Sequence, residues 1–248
     1  MKKKNSYRNI QVQKSYPLCP HLQRVEFVGE DLNDFPSGEE GAYVKVILET
    51  DKNNIAPDAR PKMRSYTIAN FDSDNKVLTL DFLIKYHEGH TATWAKNSKP
   101  GDQIVIAGPG PRKIYDFPET DYFLMGDLTS INAVKAYLKL APPTATGEAY
   151  IAVPSKEDIH EIESPSHIKI HWIDVDEKEH FISKLKNYTQ LSENSIVFGA
   201  GEAEEINMVR RFLTKEKMLP TEKLFLSGYW KRGLTDEEYR LEKNKDRK

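Results

Sequence analysis

Two short stretches of the chain combine residue types that suit a ligand with phosphates and a flat aromatic ring. In Arg64-Ser65-Tyr66-Thr67-Ile68, a guanidinium, a phenol ring and a hydroxyl lie in a strand-like run, and Gly89-His90-Thr91-Ala92-Thr93 forms a small-residue turn before a helix start. The guanidinium can donate two hydrogen bonds to a phosphate, the phenol ring can lie against an isoalloxazine, and the turn can present backbone amides to a pyrophosphate. Together the stretches suit a flavin dinucleotide, whereas Arg64–Thr67 alone favours a plain β-strand with one exposed arginine.

The first half of the chain is predicted to be β structure that holds these residues. Tyr43–Leu48 is rich in valine and isoleucine, and Val77–Tyr86 alternates apolar and polar residues. Gln103–Ala107 is a third strand candidate, and the Gly108-Pro109-Gly110-Pro111 run after it favours a turn over a phosphate cradle. Short strands separated by Pro and Gly turns predict a small antiparallel barrel or sandwich, with one short helix over residues 93–97. In the alternating strand, the predicted core face consists of Leu78, Leu80, Phe82, Ile84 and Tyr86.

The second half alternates strand and helix patterns. The strand candidates are 122–125, 148–153, 168–172 and 195–199, with a final strand before Gly228. The helix candidates are 131–138, 156–162, 180–188 and 204–213. This alternation predicts a doubly wound parallel sheet of nucleotide-binding type. We therefore predict a flavin-binding β-barrel over residues 1–117 and an α/β domain over 118–248, with the boundary near 116–119 and a charged tail from Glu242.

Composition excludes several classes of protein. The 248 residues include 36 basic and 38 acidic side chains, so the formal net charge of −2 argues against a general nucleic-acid binder. The one cysteine, Cys19, cannot form a disulfide within the chain or ligate an iron–sulfur cluster or a four-cysteine zinc site by itself. If the protein handles electrons, an organic cofactor must carry them.

Other polar groups have ordinary interpretations. His167 and His171 have helical spacing, but they fall on a predicted strand, so no metal site is expected. The acidic run from Glu157 to Glu163 is interpreted as a solvated helix face. The basic start is not followed by an apolar segment, and the apolar run Val77–Ile84 is short and interrupted. These features predict no integral membrane association and a cytoplasmic protein.

An ordered series of motifs resembles the siderophore-interacting proteins, which are flavin-dependent ferric-siderophore reductases within the ferredoxin-reductase-like superfamily. The Arg64-Ser65-Tyr66-Thr67 run is similar to the family's Arg-x-Tyr-Thr signature. Further matches follow in the family's order along most of the chain. They are Pro20–Leu32, Asp81–Ala95, Lys99–Asp102, Gly108–Gly110, Gly126–Thr129, Gly201–Ala203 and Gly228–Gly233.

The resemblance implies roles for residues at matching positions. Arg64 would bind the phosphates of FAD, Tyr66 would pack on the isoalloxazine, and Thr67 would hydrogen-bond near N5, which accepts hydride. Ser65 is a further predicted cofactor contact. Tyr66 and Thr67 are thus the predicted catalytic residues. The amides and hydroxyls of Thr91-Ala92-Thr93 would hold the pyrophosphate. Further predicted cofactor contacts are Asp81, Phe82 and Leu83 on the barrel, Asp127, Thr129 and Glu202 on the nicotinamide side, and Tyr229-Trp230 closing over the flavin.

The chain departs from the family pattern around the pyrophosphate turn. Where the family reads Gly-Pro-Ala-Ser, this chain has Gly89-His90-Thr91-Ala92, and Lys85-Tyr86 replaces a His-Gly pair. Lys85 could supply a positive charge to the phosphates, and the hydroxyl of Thr91 or Thr93 could replace the serine. His87 and His90 flank the turn and are additional candidate cofactor contacts. The second arginine of the family signature is replaced by Ala69.

The resemblance also implies a reaction. NADH or NADPH would dock transiently and reduce the flavin, which would pass single electrons to a ferric siderophore and release Fe(II) in the cytoplasm. No GxGxxG or Walker A motif is present, which agrees with transient docking. A negatively charged chelate needs cations beside the flavin, so the predicted substrate contacts are Lys231, Arg232, Arg112 and Lys113.

Other functions remain open from the sequence. A general NAD(P)H:flavin or ferredoxin-type reductase would share the architecture, and an electron donor protein could replace the nicotinamide. A flavoprotein that binds a siderophore without turnover is the non-enzymatic alternative.

Overall fold

The computed structural model describes residues 7–48, 63–84, 89–164, 166–177 and 180–245. The chain divides into two compact units, Met1–Tyr115 and Asp116–Lys248. Among the described residues, no helix is both long enough and apolar enough to cross a membrane.

The first unit is a closed six-stranded antiparallel barrel, which confirms the predicted barrel. Its strands follow the order β1-β2-β5-β4-β3-β6, and β6 pairs with β1 to close the cylinder. Closure removes the exposed strand edges that an open sheet would present. The strands are β1 (Tyr7–Cys19), β2 (Leu22–Val28), β3 (Tyr43–Leu48), β4 (Arg64–Asp72), β5 (Val77–Leu83) and β6 (Gln103–Gly110).

The barrel core follows the alternation of β5. Leu78, Leu80 and Phe82 are fully buried in one cluster, and Ile84 packs against it just beyond the end of the strand. The predicted core face is therefore confirmed over these four residues. Tyr86, the fifth predicted member, lies outside the described residues.

One α-helix, α1 (His90–Asn97), follows β5. It begins three residues before the predicted 93–97 segment because Thr91 and Ala92 are buried together with Ala95, so the buried face already includes the first turn. A short 3₁₀ turn, Glu30–Leu32, is the other helical element described in this unit.

The predicted turn at Gly108-Pro109-Gly110 is wrong, because these residues continue β6. Gly110 pairs with Tyr43 of β3, and the Tyr43 ring occupies the space that a Cβ at Gly110 would need. A residue without a side chain therefore lets the strand extend to Gly110.

The second unit contains a five-stranded parallel sheet in the order β11-β10-β7-β8-β9, which confirms the predicted α/β domain. Its strands are β7 (Asp121–Asp127), β8 (Thr146–Val153), β9 (His167–Asp174), β10 (Ile196–Glu202) and β11 (Leu224–Trp230). Its helices are α2 (Ile131–Leu140), α3 (His180–Asn187), α4 (Ala203–Arg211), which runs into a π-helical turn, and α5 (Asp236–Lys245).

The strand order reverses between β7 and β10. From β7 the sheet grows through β8 to β9, and the chain then returns to the other side of β7 with β10 and β11. In doubly wound sheets ligands bind outside the carboxyl ends of the strands at such a reversal. Asp127 ends β7 and Glu202 ends β10, so both lie at this point.

Three predictions for this unit are wrong. The helix predicted over 156–162 is only a 3₁₀ turn, Lys156–Asp158, and Asp158 is fully buried rather than part of a solvated face. Gly228–Trp230 lie within β11 instead of after it, because they continue to pair with β10. Residues 242–245 of the predicted tail belong to α5, where Lys243 Nζ donates to the Gly228 carbonyl oxygen at 2.9 Å.

Candidate functional site

The Arg64–Thr67 run lies on β4, where pairing with β3 fixes its backbone. Arg64 is opposite Val46, and Thr67 is opposite Tyr43. Ser65 is exposed, whereas the side chains of Arg64, Tyr66 and Thr67 are half-buried. The strand therefore holds a guanidinium, a phenol ring and two hydroxyls in fixed positions while leaving part of each accessible.

An aromatic layer connects Tyr66 to α1. The Tyr66 ring packs on Phe82 with ring centroids 4.5 Å apart, and Phe82 meets Trp94 of α1 edge-on at 5.8 Å. Trp94 in turn lies parallel to Phe27 of β2 at 6.3 Å. Because Phe82 is fully buried, its side chain has no surface to offer a ligand. Its side chain supports Tyr66, and the cofactor contact predicted for Phe82 stays a prediction.

Asp81 is also engaged within the protein. Arg24 of β2 donates from Nε to Asp81 Oδ1 at 2.7 Å and from Nη2 to Oδ2 at 2.8 Å. The hydrogen bond to Asp81 raises the pKa of Arg24 above its ordinary value. Both oxygens of this buried carboxylate serve the β2–β5 pairing, so a cofactor contact by the Asp81 carboxylate would have to compete with a two-pronged ion pair. Leu83 is half-buried at the end of β5, and the predicted contacts Lys85 and His87 lie outside the described residues.

Among the described residues, no side chain caps the start of α1. Its N-cap residue is Gly89, and the first helical hydrogen bond runs from Thr93 N to the Gly89 carbonyl oxygen at 3.0 Å. The first amides of any α-helix have no acceptor within the helix, and they carry a partial positive charge. His90 and Thr93 are exposed there, whereas Thr91 is almost fully buried. Of the two predicted hydroxyls, Thr93 is therefore the accessible one.

These barrel groups fit FAD as a donor set. The Arg64 guanidinium and the uncapped amides of α1 suit phosphates, and the supported Tyr66 ring suits a flat heterocycle. The chemistry expected from the residue types is therefore compatible with their positions on the barrel.

A second set of predicted residues meets at the carboxyl ends of β7, β10 and β11. Asp127 Oδ1 accepts hydrogen bonds from the Thr129 hydroxyl and from Thr129 N at 2.9 Å, and Oδ2 accepts from Trp230 Nε1 at 2.6 Å. Burial raises the pKa of Asp127 above its ordinary value. A Cβ at Gly201 would lie 2.7 Å from Asp127 Oδ2, and Gly201 has a φ of 152°, so the position requires glycine.

Glu202 closes the start of α4. Its Oε2 accepts from Glu204 N at 2.7 Å and from Glu205 N at 3.0 Å, and its Oε1 accepts from Arg232 N at 3.1 Å. The structure thus brings Glu202 to the same strand ends as Asp127, Thr129 and Trp230. The polar atoms of the two carboxylates, however, already accept hydrogen bonds from the chain itself.

Sequence reasoning missed Ser130, which joins β7 to β10 at this edge. Its Oγ donates to the Ala200 carbonyl oxygen at 2.7 Å and accepts from Asp127 N at 3.1 Å. Ser130 is fully buried as the N-cap residue of α2. A serine between a buried strand and an apolar helix is a known helix-start signal, so the residue could have been found.

The four predicted substrate cations differ in what surrounds them. Lys231 Nζ lies 2.5 Å from Glu242 Oε1 and 3.7 Å from Glu204 Oε1, and the hydrogen bond to Glu242 raises the pKa of Lys231. Arg112 donates to the Gly38 carbonyl oxygen at 3.0 Å and lies over the Tyr115 ring. Arg232 and Lys113 are exposed. The positive charge of Lys231 is therefore already balanced by carboxylates.

An antiparallel barrel followed by a five-stranded parallel sheet is the architecture of ferredoxin-reductase-like flavoproteins. A solved ferredoxin–NADP⁺ reductase from Plasmodium falciparum has a TM-score of 0.68 to this chain, covering 91% of it and 99% of the reductase, at 17% identity. This similarity shows the fold, and it confirms the predicted fold class.

The family follows from the sequence matches. The family described as siderophore-interacting FAD-binding domain matches residues 11–113, and the family described as siderophore-interacting protein matches residues 119–233. The chain belongs to the siderophore-interacting protein family, which confirms the resemblance, and its barrel identifies it as a flavoprotein.

Two relatives are similar over nearly the whole chain. Ferric vibriobactin reductase ViuB of Vibrio cholerae is 28% identical, covering 94% of this chain and 92% of the relative. The crystal structure of the siderophore-interacting protein SipS from Aeromonas hydrophila has a TM-score of 0.86 at 27% identity, covering 98% of each chain. The protein is therefore an oxidoreductase of the flavin-dependent kind.

Proposed function

We propose that this protein is an FAD-dependent reductase that transfers electrons from NADH or NADPH to ferric siderophores and releases Fe(II) in the cytoplasm. The observation that carries the proposal is the combination of Arg64, a supported Tyr66 ring and an uncapped α1 within a barrel that matches the family's FAD-binding domain. The similarity to a protein named ferric vibriobactin reductase supports the choice of substrate class.

Each barrel group has a role in holding FAD. The Arg64 guanidinium and the first amides of α1, with the exposed Thr93 hydroxyl, bind the phosphates. The Tyr66 ring, held by Phe82, supports the flavin ring, and the Thr67 hydroxyl hydrogen-bonds at its reactive edge. When bound, FAD accepts two electrons as a hydride and delivers them one at a time.

The reaction places few demands on acid–base residues. Reduction of Fe(III) needs an electron rather than a proton, so the protein has only to hold donor and chelate in reach of the cofactor. Hard oxygen chelators bind Fe(II) less tightly than Fe(III), so reduction releases the metal. Among the predicted substrate cations, exposed Arg232 is better suited to an anionic chelate than Lys231, which two carboxylates already balance.

An anaerobic reduction assay tests the proposal. Holoprotein is mixed with NADH or NADPH, then with ferric catecholate, hydroxamate or citrate, while flavin absorbance near about 450 nm and trapped Fe(II) are followed. We expect the nicotinamide to bleach the flavin and at least one chelate to restore it with release of Fe(II). Flavin that bleaches but is reoxidised by none of the chelates would overturn the proposal in favour of a general flavin or ferredoxin-type reductase.

The same assay tests the electron donor separately. Flavin that only reduced ferredoxin bleaches would overturn the assignment of NAD(P)H, whereas its reoxidation by a ferric chelate would still support the assigned acceptor. A flavin that neither donor reduces would point to a non-catalytic flavoprotein.

Arg64→Ala tests the phosphate contact. Loss of a charge-assisted hydrogen bond should weaken FAD binding by about tenfold or more, which fluorescence titration of the apoprotein measures. Lys96→Ala, which removes an exposed cation from the other end of α1, should change the affinity by less than about twofold. Full retention of FAD affinity in Arg64→Ala would show that the guanidinium does not bind the phosphates.

A further inference from the structure

Residues that make none of the proposed FAD contacts hold the far end of α1. The helix ends at Asn97, and the Oγ of the next residue, Ser98, lies 2.8 Å from the Ala95 carbonyl oxygen and 2.7 Å from Ser15 Oγ of β1. Gln23 of β2 then donates from Nε2 to Ser15 Oγ at 2.8 Å. Ser15 thus lies in the middle of a row of hydrogen-bonded side chains, from Gln23 in the barrel wall to Ser98 at the end of the helix.

The hydrogen-bond directions make Ser15 the shared acceptor. The Ser98 hydroxyl, which also lies within donating distance of the Ala95 carbonyl oxygen, donates to Ser15 Oγ, and Gln23 Nε2 donates to the same oxygen. Because Gln23 is itself buried, this shared contact links the barrel wall to the end of the helix.

Backbone contacts place the same strand against the turn that follows α1. Val12 N donates to the Asp102 carbonyl oxygen at 2.8 Å, and Gly101 N donates to the Val12 carbonyl oxygen at 2.9 Å. Together with Trp94, whose ring lies parallel to Phe27 of β2 and edge-on to Phe82 of β5, these contacts make β1, β2 and β5 the support for the C-terminal half of the helix.

The helix needs such support because it is short. An eight-residue helix has about two turns, and isolated helices of this length are not stable in water. At its other end Thr91 and Ala92 are buried, but no described side chain caps the first amides. The contacts of its last turn therefore contribute to the direction in which these amides point.

We propose that Ser15 is a positioning residue for the cofactor: by fixing Ser98 it orients α1, so that the first amides of the helix face the phosphates of FAD. The inference rests on the proposed function only in taking α1 as the phosphate-binding element. The anchor itself is a property of the barrel and can be measured without ligand.

The first test is amide hydrogen exchange of the apoprotein. Ser15→Ala removes the link between Gln23 and Ser98, and it should speed exchange of the α1 amides by about fivefold, the loss of one net hydrogen bond, while β5 amides are unchanged. Ser15→Thr keeps the hydroxyl on a residue that suits a strand and should restore wild-type exchange. Unchanged exchange of α1 in Ser15→Ala would overturn the anchor.

The second test separates positioning from a general structural role. Ser15→Ala should weaken FAD by about fivefold and leave riboflavin, which has the ring without phosphates, within about twofold of wild type. Ser73→Ala, an exposed serine in the turn between β4 and β5, should change neither affinity. Equal weakening of both ligands, or weakening of neither, would overturn the positioning role. Failure of wild type to bind FAD would instead overturn the proposed function, with the exchange result still deciding the anchor.

Discussion

Two of the helices that start next to predicted ligand-binding residues, α1 and α4, begin in opposite ways. On the barrel, α1 starts at Gly89, which has no side chain to cap the helix, and its first turn contains no acidic residue. In the α/β unit, α4 starts at Glu202, whose carboxylate accepts hydrogen bonds from the amides of Glu204 and Glu205. No described side chain caps the first helix, whereas the chain's own carboxylate caps the second.

The difference bears on the phosphate contacts proposed for this chain. A helix N-terminus attracts anions through its unpaired amides and its partial positive charge. At α1 no side chain in the described part of the chain occupies them, whereas at α4 the Glu202 carboxylate does, and two further glutamates in the first turn add negative charge. We infer that phosphates bind the barrel helix, and that α4 gives a nicotinamide nucleotide no phosphate clamp, in keeping with the transient docking proposed for it.

Gly89→Asp would give α1 the kind of cap that α4 has, and it carries the largest expected effect. A Cβ at Gly89 meets no described atom within 4 Å, so the substitution adds a carboxylate without a described clash. The carboxylate should occupy the amides and repel the phosphates, weakening FAD binding by about thirtyfold, which corresponds to about 2 kcal/mol. Equilibrium titration of the apoprotein with FAD measures the change.

The stability of the Gly89→Asp apoprotein distinguishes this explanation from misfolding. A carboxylate cap should stabilise the helix by about 0.5 kcal/mol, so the apoprotein should melt no lower than wild type even as it loses FAD. Gly89→Asn caps without charge and should have a smaller effect on FAD. Wild-type affinity in Gly89→Asp would refute the assignment of α1 as the phosphate helix.

The sequence predicted the elements whose side chains repeat with a clear period. The alternation in β5 and the strand–helix rhythm of the second unit yielded the correct architecture, since burial of one face imposes such patterns. Helix α5 was not predicted, because its charged sequence has no stripe of apolar residues along one face. It packs through particular contacts instead: the Tyr239 hydroxyl fills the space that a Cβ on Gly228 would take, and Lys231 pairs with Glu242.

For the candidate site, residue types indicated which side chains belong together but not what each one faces. Arg64 and Tyr66 lie on one strand of the barrel, as their spacing predicted. Asp81 and Glu202 were expected to face a ligand, yet each accepts hydrogen bonds from residues distant in sequence, Arg24 and Arg232 respectively. Such pairings depend on strand register across the fold, which local sequence does not encode.

Glu202→Ser makes the converse change, because it removes the carboxylate that occupies the first amides of α4. Serine still caps a helix but removes the charge and most of the bulk. We expect NADP⁺ and ADP-ribose to bind about fivefold more tightly than to wild type, equivalent to about 1 kcal/mol at a helix N-terminus. Isothermal titration calorimetry measures both ligands independently of turnover.

The matched control for Glu202→Ser is Glu204→Ser. Glu204 lies in the same first turn and is exposed, but its carboxylate does not cap the helix. Its loss should tighten nucleotide binding by less than about twofold. If Glu202→Ser binds the nucleotides no better than this control, the self-capping of α4 does not limit phosphate binding.

The smallest expected effect is a change of stability with pH. It concerns Asp127, the other carboxyl group at the strand ends of the α/β unit. Because burial raises the pKa of Asp127, the folded protein holds that proton more tightly than the unfolded chain, whose carboxyl titrates near 3.8. The stability contributed by the protonated form is present below that value and is lost as the pH rises through the raised folded pKa. Asp127→Asn cannot titrate, so the unfolding free energy of wild type should decline relative to that of the variant across this window and then run parallel to it.

Thr129→Val removes one hydroxyl donor but leaves the carboxyl in place, so it should keep the decline, as urea unfolding at a series of pH values would show. If the unfolding free energies of wild type and Asp127→Asn differ by the same amount at every pH, burial does not destabilise the Asp127 carboxylate. The strand ends of the α/β unit would then tolerate negative charge better than the comparison with α1 requires.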